Sequence, residues 1–224
     1  MIISYQLTGL KSIYKNFFSL KKRINSDVTI VVVGKNRTVE ELKEAVAAGA
    51  KFIGENRAQE LVEKYPALNV TWHFIGHLQT NKIDLVIPRV AMIQSLDSLK
   101  LALKLDVKLR NLGKKMPVLL EVNTSKEESK YGFLPGEIIE VTQKINGLKN
   151  LQIRGLMTMG KLVKNPEENR PYFKLLFNLA QQIKNLKLSR VSMQYLSAGT
   201  SRDFEIAIEE GANIIRLGEI IFKS

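Results

Sequence analysis

The stretch T-I-V-V-V-G-K, residues 29–35, contains four consecutive β-branched aliphatic side chains. This run is too short for a helix and apolar on both faces, which is typical of a strand buried between two layers. Gly34 and Lys35 follow at the point where the strand would end. An amine there would be partly desolvated and so available as a nucleophile toward an aldehyde. Lys35 is therefore a candidate reactive lysine, against the alternative of a solvated surface lysine.

From residue 29 onward, a short apolar run, a polar or glycine-containing corner and a segment with helical periodicity follow one another repeatedly. This order is typical of a parallel sheet with crossover helices. Thr38 and Glu41 form a capping-box motif before the first such helix, and Gly49 marks its end. Eight units in 224 residues predict an α/β fold with a single (β/α)8 TIM barrel, and a doubly wound open sheet is the alternative. The predicted strands span residues 29–33, 51–53, 70–75, 90–94, 118–122, 151–157, 195–197 and 213–217.

The first 26 residues carry no acidic side chain, and their apolar residues recur at helical spacing. A transit peptide has this pattern, and so does an ordinary helix that packs on a globular domain. The segment leads directly into the first strand, so we expect a helix in residues 1–26 packed on a barrel domain of residues 27–224. No apolar run reaches the roughly 18–20 residues that span a bilayer, so we expect no membrane partner. The apolar positions are Leu7, Leu10, Ile13, Phe17, Leu20 and Ile24.

The formal net charge of +12 suggests a nucleic-acid-binding protein, because clustered basic residues bind phosphates. Here the basic residues are spread along the chain and alternate with glutamates, so we expect a solvated surface and no nucleic-acid partner. The absence of cysteine excludes disulfides and thiolate metal sites and is compatible with the expected cytoplasmic location. His73 and His77 stand four residues apart, but Gly76 and a strand end separate them, so we expect no metal site.

In a barrel, functional residues lie at the C-terminal ends of the strands. The sequence places Lys35 after the first strand, S-A-G-T-S-R-D-F (residues 197–204) after the seventh, and L-G-E after Arg216 at the eighth. The last two turns offer hydroxyls, small residues and a helix predicted to start near Ser201, which suit a phosphate monoester. Because the first and eighth strands of a closed barrel are neighbours, the lysine and this phosphate cup should be adjacent. Pyridoxal 5'-phosphate (PLP) carries both a reactive aldehyde and a phosphate of that reach.

Seven segments, in order from Thr29 to Phe222, carry a family resemblance. They are V-V-V-G-K (31–35), G-E-N (54–56), W-H-F-I-G-H-L-Q-T-N-K (72–82), V-N-T-S-K-E-E-S-K-Y-G (122–132), G-L-M-T-M-G (155–160), L-S-A-G-T-S-R-D-F (196–204) and I-R-L-G-E-I-I-F (215–222). Together they resemble the pyridoxal phosphate homeostasis proteins, also known as proline synthase co-transcribed bacterial homologues. The resemblance implies the alanine racemase N-terminal barrel, a fold-type III PLP site.

The resemblance also implies roles for individual residues. Lys35 would form the internal aldimine with PLP, Arg216 would contact the pyridine nitrogen, and Asn56 would lie beside the ring. No residue is expected to be catalytic. The other expected cofactor-binding residues, which lie in the phosphate cup, are Ser197, Gly199, Thr200, Ser201, Gly218 and Glu219.

The chain departs from the family pattern at several positions near the cup. Ala198 and Thr200 flank the seventh-strand glycine where the family more often has methionines, and Lys223 stands where a glycine is expected. Glu219 replaces a frequent threonine, so we expect its carboxylate to point away and only its amide to act as a donor. These departures bear on PLP affinity and leave the lysine and the arginine in place.

Two classes of function follow from the resemblance. The first is a carrier and regulator in intracellular PLP (vitamin B6) and amino-acid homeostasis, without substantial catalysis. Free amino acids and PLP-dependent apoenzymes would be its partners, and the chain would be a monomer or weak homodimer. The second is an amino-acid racemase, which needs acid/base groups on both faces of the cofactor. Because the chain ends shortly after Phe222, we expect the opposite face to be open unless Tyr131 or a histidine covers it.

Overall fold

The computed structural model describes residues 2–223, with side chains from residue 12 onward. Eight parallel strands close into a barrel in chain order, and the last strand pairs with the first. The predicted TIM barrel is therefore confirmed, and the open sheet is excluded. The strands are β1 (Thr29–Val33), β2 (Phe52–Glu55), β3 (Thr71–Phe74), β4 (Met92–Leu96), β5 (Met116–Glu121), β6 (Leu151–Met157), β7 (Val191–Ser197) and β8 (Ile214–Leu217).

A helix follows each strand, and one more helix precedes the first strand. Short 3-10 helices lie at Tyr65–Ala67, Thr80–Lys82 and Pro166–Asn169. The α-helices are α1 (Ile2–Arg23), α2 (Val39–Ala47), α3 (Ala58–Lys64), α4 (Ile83–Val86), α5 (Leu99–Asn111), α6 (Ile138–Asn146), α7 (Arg170–Asn185), α8 (Phe204–Glu209) and α9 (Glu219–Phe222).

Helix α2 shows how local sequence sets the helix ends. The Thr38 side chain accepts a hydrogen bond from the Glu41 backbone N–H, and the Glu41 side chain accepts one from the Thr38 N–H. The predicted capping box is thus present, and it satisfies donors that the first helical turn leaves free. Gly49 has a φ of 101°, a conformation that glycine adopts without strain, and it ends the helix as predicted.

Strand β7 is longer than the sequence indicated, because it begins at Val191 rather than at residue 195. Residues 191–194 are partly or fully exposed, so they do not form the apolar run by which buried strands are recognised. The strand forms there because Val191 pairs with Ile153 of β6, a contact that local sequence cannot indicate.

Two apolar layers fill the molecule. Val31, Met92, Leu119, Met157 and Ile214 come from five different strands, are buried, and form their own cluster. Such a cluster can exist only in the barrel interior. The other faces of the strands pack against the helices in a second and much larger cluster. The interior is therefore a packed core, and a ligand can enter only at its mouth.

The N-terminal helix α1 packs on α2 and α9. Ile13, Phe17 and Leu20 are buried, as the helical spacing predicted, whereas the predicted positions Leu7 and Leu10 lie outside the described side chains. The division into residues 1–26 and 27–224 stays a prediction. In the part of the chain that the structure describes, no helix is both long and apolar enough to cross a bilayer.

The closest backbone approach at a described glycine predicts a steric effect. A Cβ on Gly155 of β6 would lie 1.8 Å from the Tyr195 carbonyl oxygen of β7. Gly155→Ala should therefore force the two strands apart and lower the free energy of unfolding by about 1–3 kcal/mol, measured by urea denaturation. Gly136→Ala is the matched control, since no atom lies within 4 Å of its Cβ position. Equal stability of the two variants would contradict this prediction.

Candidate functional site

Lys35 lies in the turn that follows β1, at the C-terminal mouth of the barrel. The residue is exposed, so the expectation of a partly desolvated amine is wrong. The reason is that Gly34 is the last residue bonded to β2, with its N–H donating to the Gly54 carbonyl oxygen at 2.9 Å, and the chain then turns at Lys35 and Asn36, with Asn36 at a φ of 57°. The Lys35 side chain is therefore accessible to a ligand in solution.

Arg216 of β8 is a buried cation at the mouth, with 3% of its surface exposed. One guanidinium nitrogen, Nη1, donates to the Ser197 Oγ at 2.5 Å. The other, Nη2, donates to the Thr158 carbonyl oxygen at 2.8 Å and lies 3.0 Å from the Met159 Sδ. Burial lowers the pKa of Arg216 to about 10, although Glu121 and Asp203 act against this shift. Arg216 therefore keeps its proton at neutral pH, in one fixed orientation.

A chain of hydrogen bonds continues from Arg216 across the barrel interior. Ser197 Oγ donates to the Gln94 Oε1 at 2.7 Å, and the Gln94 Nε2 lies 2.8 Å from the His73 Nδ1. Burial lowers the pKa of His73 to about 4, so the ring is neutral and its Nδ1 accepts from the Gln94 amide. The Ser197 hydroxyl therefore has Arg216 and Gln94 as its partners inside the barrel.

The turns after β7 and β8 meet through the Ser201 hydroxyl. Its oxygen accepts hydrogen bonds from the backbone N–H groups of Gly218 and Ile220, each at 3.2 Å. Gly199 has a φ of 88°, and a Cβ there would lie 2.7 Å from the Ala207 Cβ. A side chain at residue 199 would be strained in conformation and would clash with α8. The two predicted turns therefore form one structural unit.

The first of these turns is held by Asp203. The Oδ1 atom of Asp203 accepts from the Thr200 backbone N–H at 2.7 Å and from the Thr200 Oγ1 at 3.0 Å. Its Oδ2 atom accepts from the Asn169 Nδ2 at 2.8 Å. Because these bonds close a turn over residues 200–203, α8 begins at Phe204, and the predicted start near Ser201 is wrong. The Thr200 hydroxyl, like that of Ser197, already has a protein partner.

Free donors remain in both turns. Within the described residues, the backbone N–H groups of Ser201, Arg202 and Glu219 have no hydrogen-bond acceptor. The Glu219 carboxylate is 64% exposed and lies 3.7 Å from the Arg202 Nε. Unpaired backbone N–H groups can donate hydrogen bonds to the oxygens of an anion. Because the Glu219 carboxylate is exposed, the Glu219 N–H stays free to donate in this way.

Asn56 follows β2 and is half-buried. Its backbone N–H donates to the Glu55 Oε2 at 3.2 Å. Its Oδ1 is buried and has no partner among the described residues. A buried polar atom without a partner costs about 1–3 kcal/mol, so the Asn56 amide has hydrogen-bonding capacity that a ligand can use.

Comparison with known proteins covers almost the whole barrel. The sequence matches the family model of the alanine racemase N-terminal domain over residues 9–224. It is 40% identical over 196 residues to the pyridoxal phosphate homeostasis protein of Aquifex aeolicus (strain VF5), covering 85% of each chain. It is 35% identical over 207 residues to the Homo sapiens protein of the same name, covering 86% of this chain and 75% of that one. The chain belongs to the pyridoxal phosphate homeostasis protein family.

Solved structures agree with membership of the pyridoxal phosphate homeostasis protein family. PipY of Synechococcus elongatus PCC7942, in a structure described as having PLP bound, matches with a TM-score of 0.86 at 30% identity. The match covers 94% of this chain and 99% of PipY. An alanine racemase of Clostridium difficile 630 matches with a TM-score of 0.76 at 17% identity, which shows the fold alone. The resemblance identified in the sequence is therefore confirmed.

This family member also has an aromatic and acidic cluster at its mouth. Tyr131, in the loop after β5, stacks on His77 with ring centroids 3.9 Å apart and planes 8° apart. The His77 Nδ1 lies 2.5 Å from the Oδ2 of Asp97, which follows β4. Tyr131 and a histidine, which were named as the possible exceptions to an open face, are thus in contact with each other. The described residues contain no group of three side chains able to hold a metal.

Sequence reasoning missed two buried polar residues, Gln94 and Glu121. Each is a polar side chain within a predicted apolar strand, and that mismatch is the signal that could have identified them. Burial raises the pKa of Glu121 to about 7, with the Asp97 charge adding to the shift and the Arg216 charge opposing it. The Glu121 carboxyl therefore titrates near neutral pH.

The Glu121 shift predicts a pH dependence of stability. Because its pKa is 4.5 ordinarily and about 7 in the fold, the folded chain binds more protons between these values, and stability falls as pH rises through them. Glu121→Gln removes this titration. Relative to the wild type, the variant should gain up to about 3 kcal/mol in free energy of unfolding between about pH 5 and pH 8, measured by urea denaturation. Parallel pH profiles of the two proteins would refute the assignment.

Proposed function

We propose that this chain binds PLP at the C-terminal mouth of its barrel and acts in intracellular PLP and amino-acid homeostasis. The supporting observation is the pairing of β1 with β8, in which Val31 lies opposite Arg216. This pairing brings an exposed lysine, Lys35, and a buried arginine to adjacent strand ends. The relatives named as PLP homeostasis proteins and the PipY structure with PLP support the same assignment.

The residues present fit this cofactor. Lys35 offers an accessible amine, and Asn56 has a buried oxygen without a partner, as a ring-contacting amide would before its ligand binds. The unpaired N–H groups of Ser201 and Glu219 suit a phosphate. The Gly218 N–H donates to Ser201, so we propose that Ser201 and Gly218 act together, with the hydroxyl free to donate onward.

When bound, PLP supplies an aldehyde that condenses with an amine, with loss of water, and a ring that withdraws electrons. In this proposal Lys35 provides the amine, and Arg216 donates a hydrogen bond toward the ring nitrogen. Ser197 holds the Arg216 guanidinium, and Gly199 and Thr200 shape the turn that carries Ser201. Ser197 and Thr200 are thus assigned positioning roles rather than direct phosphate contacts.

We further propose that the chain carries PLP without substantial turnover. Arg216 stays protonated at neutral pH, so it donates to a ring nitrogen and does not protonate it. Proton removal from an amino acid bound at this site should therefore be slow. Free amino acids and PLP-dependent apoenzymes remain the proposed partners. The monomer or weak homodimer, the cytoplasmic location, and the absence of nucleic-acid, membrane and metal partners stay predictions.

The proposed role of Lys35 is tested by substitution. Lys35→Ala should abolish the visible absorption of the PLP-loaded protein and the borohydride-reducible covalent adduct, while the thermal unfolding curve stays unchanged. Lys82→Ala and Lys130→Ala are matched controls, because both lysines lie in mouth loops and should leave the adduct intact. An adduct that persists in Lys35→Ala, mapped by peptide mass spectrometry to another lysine, would overturn the assignment.

The proposed lack of turnover is tested with alanine. The loaded protein is incubated with L- and D-alanine in deuterated water, and exchange at Cα and chiral composition are measured. We expect exchange well below about one per second, the lower end of ordinary enzyme turnover. Turnover at or above that rate, with interconversion of the enantiomers, would favour the racemase alternative. The His77–Asp97 pair at the mouth would then be the acid/base group to substitute first.

A further inference from the structure

Lys64, the last residue of α3, has a buried side chain whose three ammonium hydrogens all have acceptors. Its Nζ lies 2.7 Å from the Gly34 carbonyl oxygen, 2.7 Å from the Glu55 Oε1 and 2.8 Å from the Glu60 Oε2. Glu55 is fully buried at the end of β2, and Glu60 lies one turn earlier in α3. We call Glu55, Glu60 and Lys64 the α3 ion cluster.

This cluster holds both peptide groups that flank Lys35. Lys64 donates to the carbonyl oxygen of Gly34, on the N-terminal side of Lys35. Glu60 accepts from the backbone N–H of Asn36 at 3.0 Å, on the C-terminal side. With both neighbouring peptides fixed, the Cα–Cβ direction of Lys35 is fixed as well. A strained φ of 57° at Asn36 is tolerated because Glu60 holds that N–H.

The fit around Gly34 is close. A Cβ there would lie 2.5 Å from the Glu55 Oε1, so only glycine allows the buried carboxylate to reach under the turn. The other carboxylate oxygen of Glu55 accepts from the Asn56 N–H at 3.2 Å. Two of the proposed PLP-binding residues, Lys35 and Asn56, therefore depend on the same buried group of charges.

Lys64 and Glu60 are charged at neutral pH, whereas burial raises the pKa of Glu55 against the opposing effect of its hydrogen bond with Lys64. Burial acts to lower the pKa of Lys64, but its hydrogen bonds with Glu55 and Glu60 outweigh burial and raise that pKa. Burial likewise acts to raise the pKa of Glu60, but hydrogen bonds from Lys64 and the Asn36 N–H outweigh it and lower that pKa. Buried ion pairs are weak contributors to stability compared with apolar packing, so their use beneath a reactive turn points to orientation rather than to stability alone.

We propose that Lys64 and Glu60 are positioning residues that direct the Lys35 side chain toward the PLP aldehyde, and that Glu55 extends this control to Asn56. The inference rests on the proposed function of PLP binding. A cluster with only a structural role would support the packing of α3 on the barrel. Its loss would then weaken every mode of ligand binding equally, through lower stability.

The distinguishing measurement compares PLP with pyridoxine 5'-phosphate, which has the same ring and phosphate but no aldehyde. In Glu60→Ala, the Asn36 N–H loses its acceptor. In Lys64→Met, the Gly34 carbonyl loses the Lys64 ammonium and keeps only the Arg37 N–H, at 3.0 Å, as a donor. Each variant should raise the dissociation constant for PLP by about tenfold and leave that for pyridoxine 5'-phosphate within twofold. Glu60→Gln should recover most of the PLP affinity, because its amide oxygen can still accept from Asn36.

Lys144→Met is the matched control, because Lys144 also forms an ion pair with a glutamate four residues earlier, Glu140, but on the exposed face of α6. It should leave both dissociation constants unchanged. In the cofactor-free protein, amide hydrogen exchange at residue 36 should be faster in Glu60→Ala than in the wild type or Lys144→Met.

The positioning role would be overturned if Glu60→Ala and Lys64→Met raised the dissociation constants of both ligands by the same factor. It would also be overturned if the dissociation constant for PLP did not change. Unchanged exchange at residue 36 would count against it as well. Measurements on the wild-type protein distinguish failure of the positioning role from failure of the proposed PLP binding. If the wild type shows neither a measurable dissociation constant for PLP nor a reducible adduct, PLP binding itself is refuted before any variant is compared.

Discussion

Closure of the barrel between β1 and β8 is the constraint on which the candidate site depends. Thr29 pairs with Ile214, and Val31 pairs with Arg216. Because parallel strands all end on one side of a barrel, this single register brings the turn after the first strand next to the turns after the last two. A shift by one residue would turn the Arg216 side chain from the interior into the helix layer, since side chains alternate along a strand.

Two buried cations organise the mouth from different layers. Arg216 lies inside the barrel and has acceptors on β7 and on the segment after β6, and Lys64 lies in the helix layer with acceptors in β2, α3 and the turn after β1. A buried charge without partners in either position would lower the free energy of unfolding. Each cation therefore keeps its hydrogen-bond acceptors in place, and with them several backbone segments. Lys35, by contrast, is exposed, and its two neighbouring peptide groups are held by Lys64 and Glu60.

The parts of the site that the sequence predicted are those with a local signal. The strand run before Gly34, the capping box at Thr38 and the glycine turn at Gly199 were each correctly located, because strand, cap and turn residues act within a few positions of one another. The helix start at Ser201 was wrong, because Asp203 closes the preceding turn with its own side chain. The expected burial of Lys35 was wrong as well, because Lys35 lies in the turn that follows the strand rather than in the strand layer.

By itself, the sequence determined the barrel, the order of its strands, the family, and the set of residues at the strand ends. Hydrophobic periodicity and short motifs are local properties, so each can be recognised without knowing which distant residues it contacts. Only the tertiary structure decided which of those residues have a free hydrogen-bonding group. Ser197 is committed to Arg216, and Lys64 reaches the turn of Lys35, because the folded barrel brings together groups that are 19 and 30 positions apart in the chain.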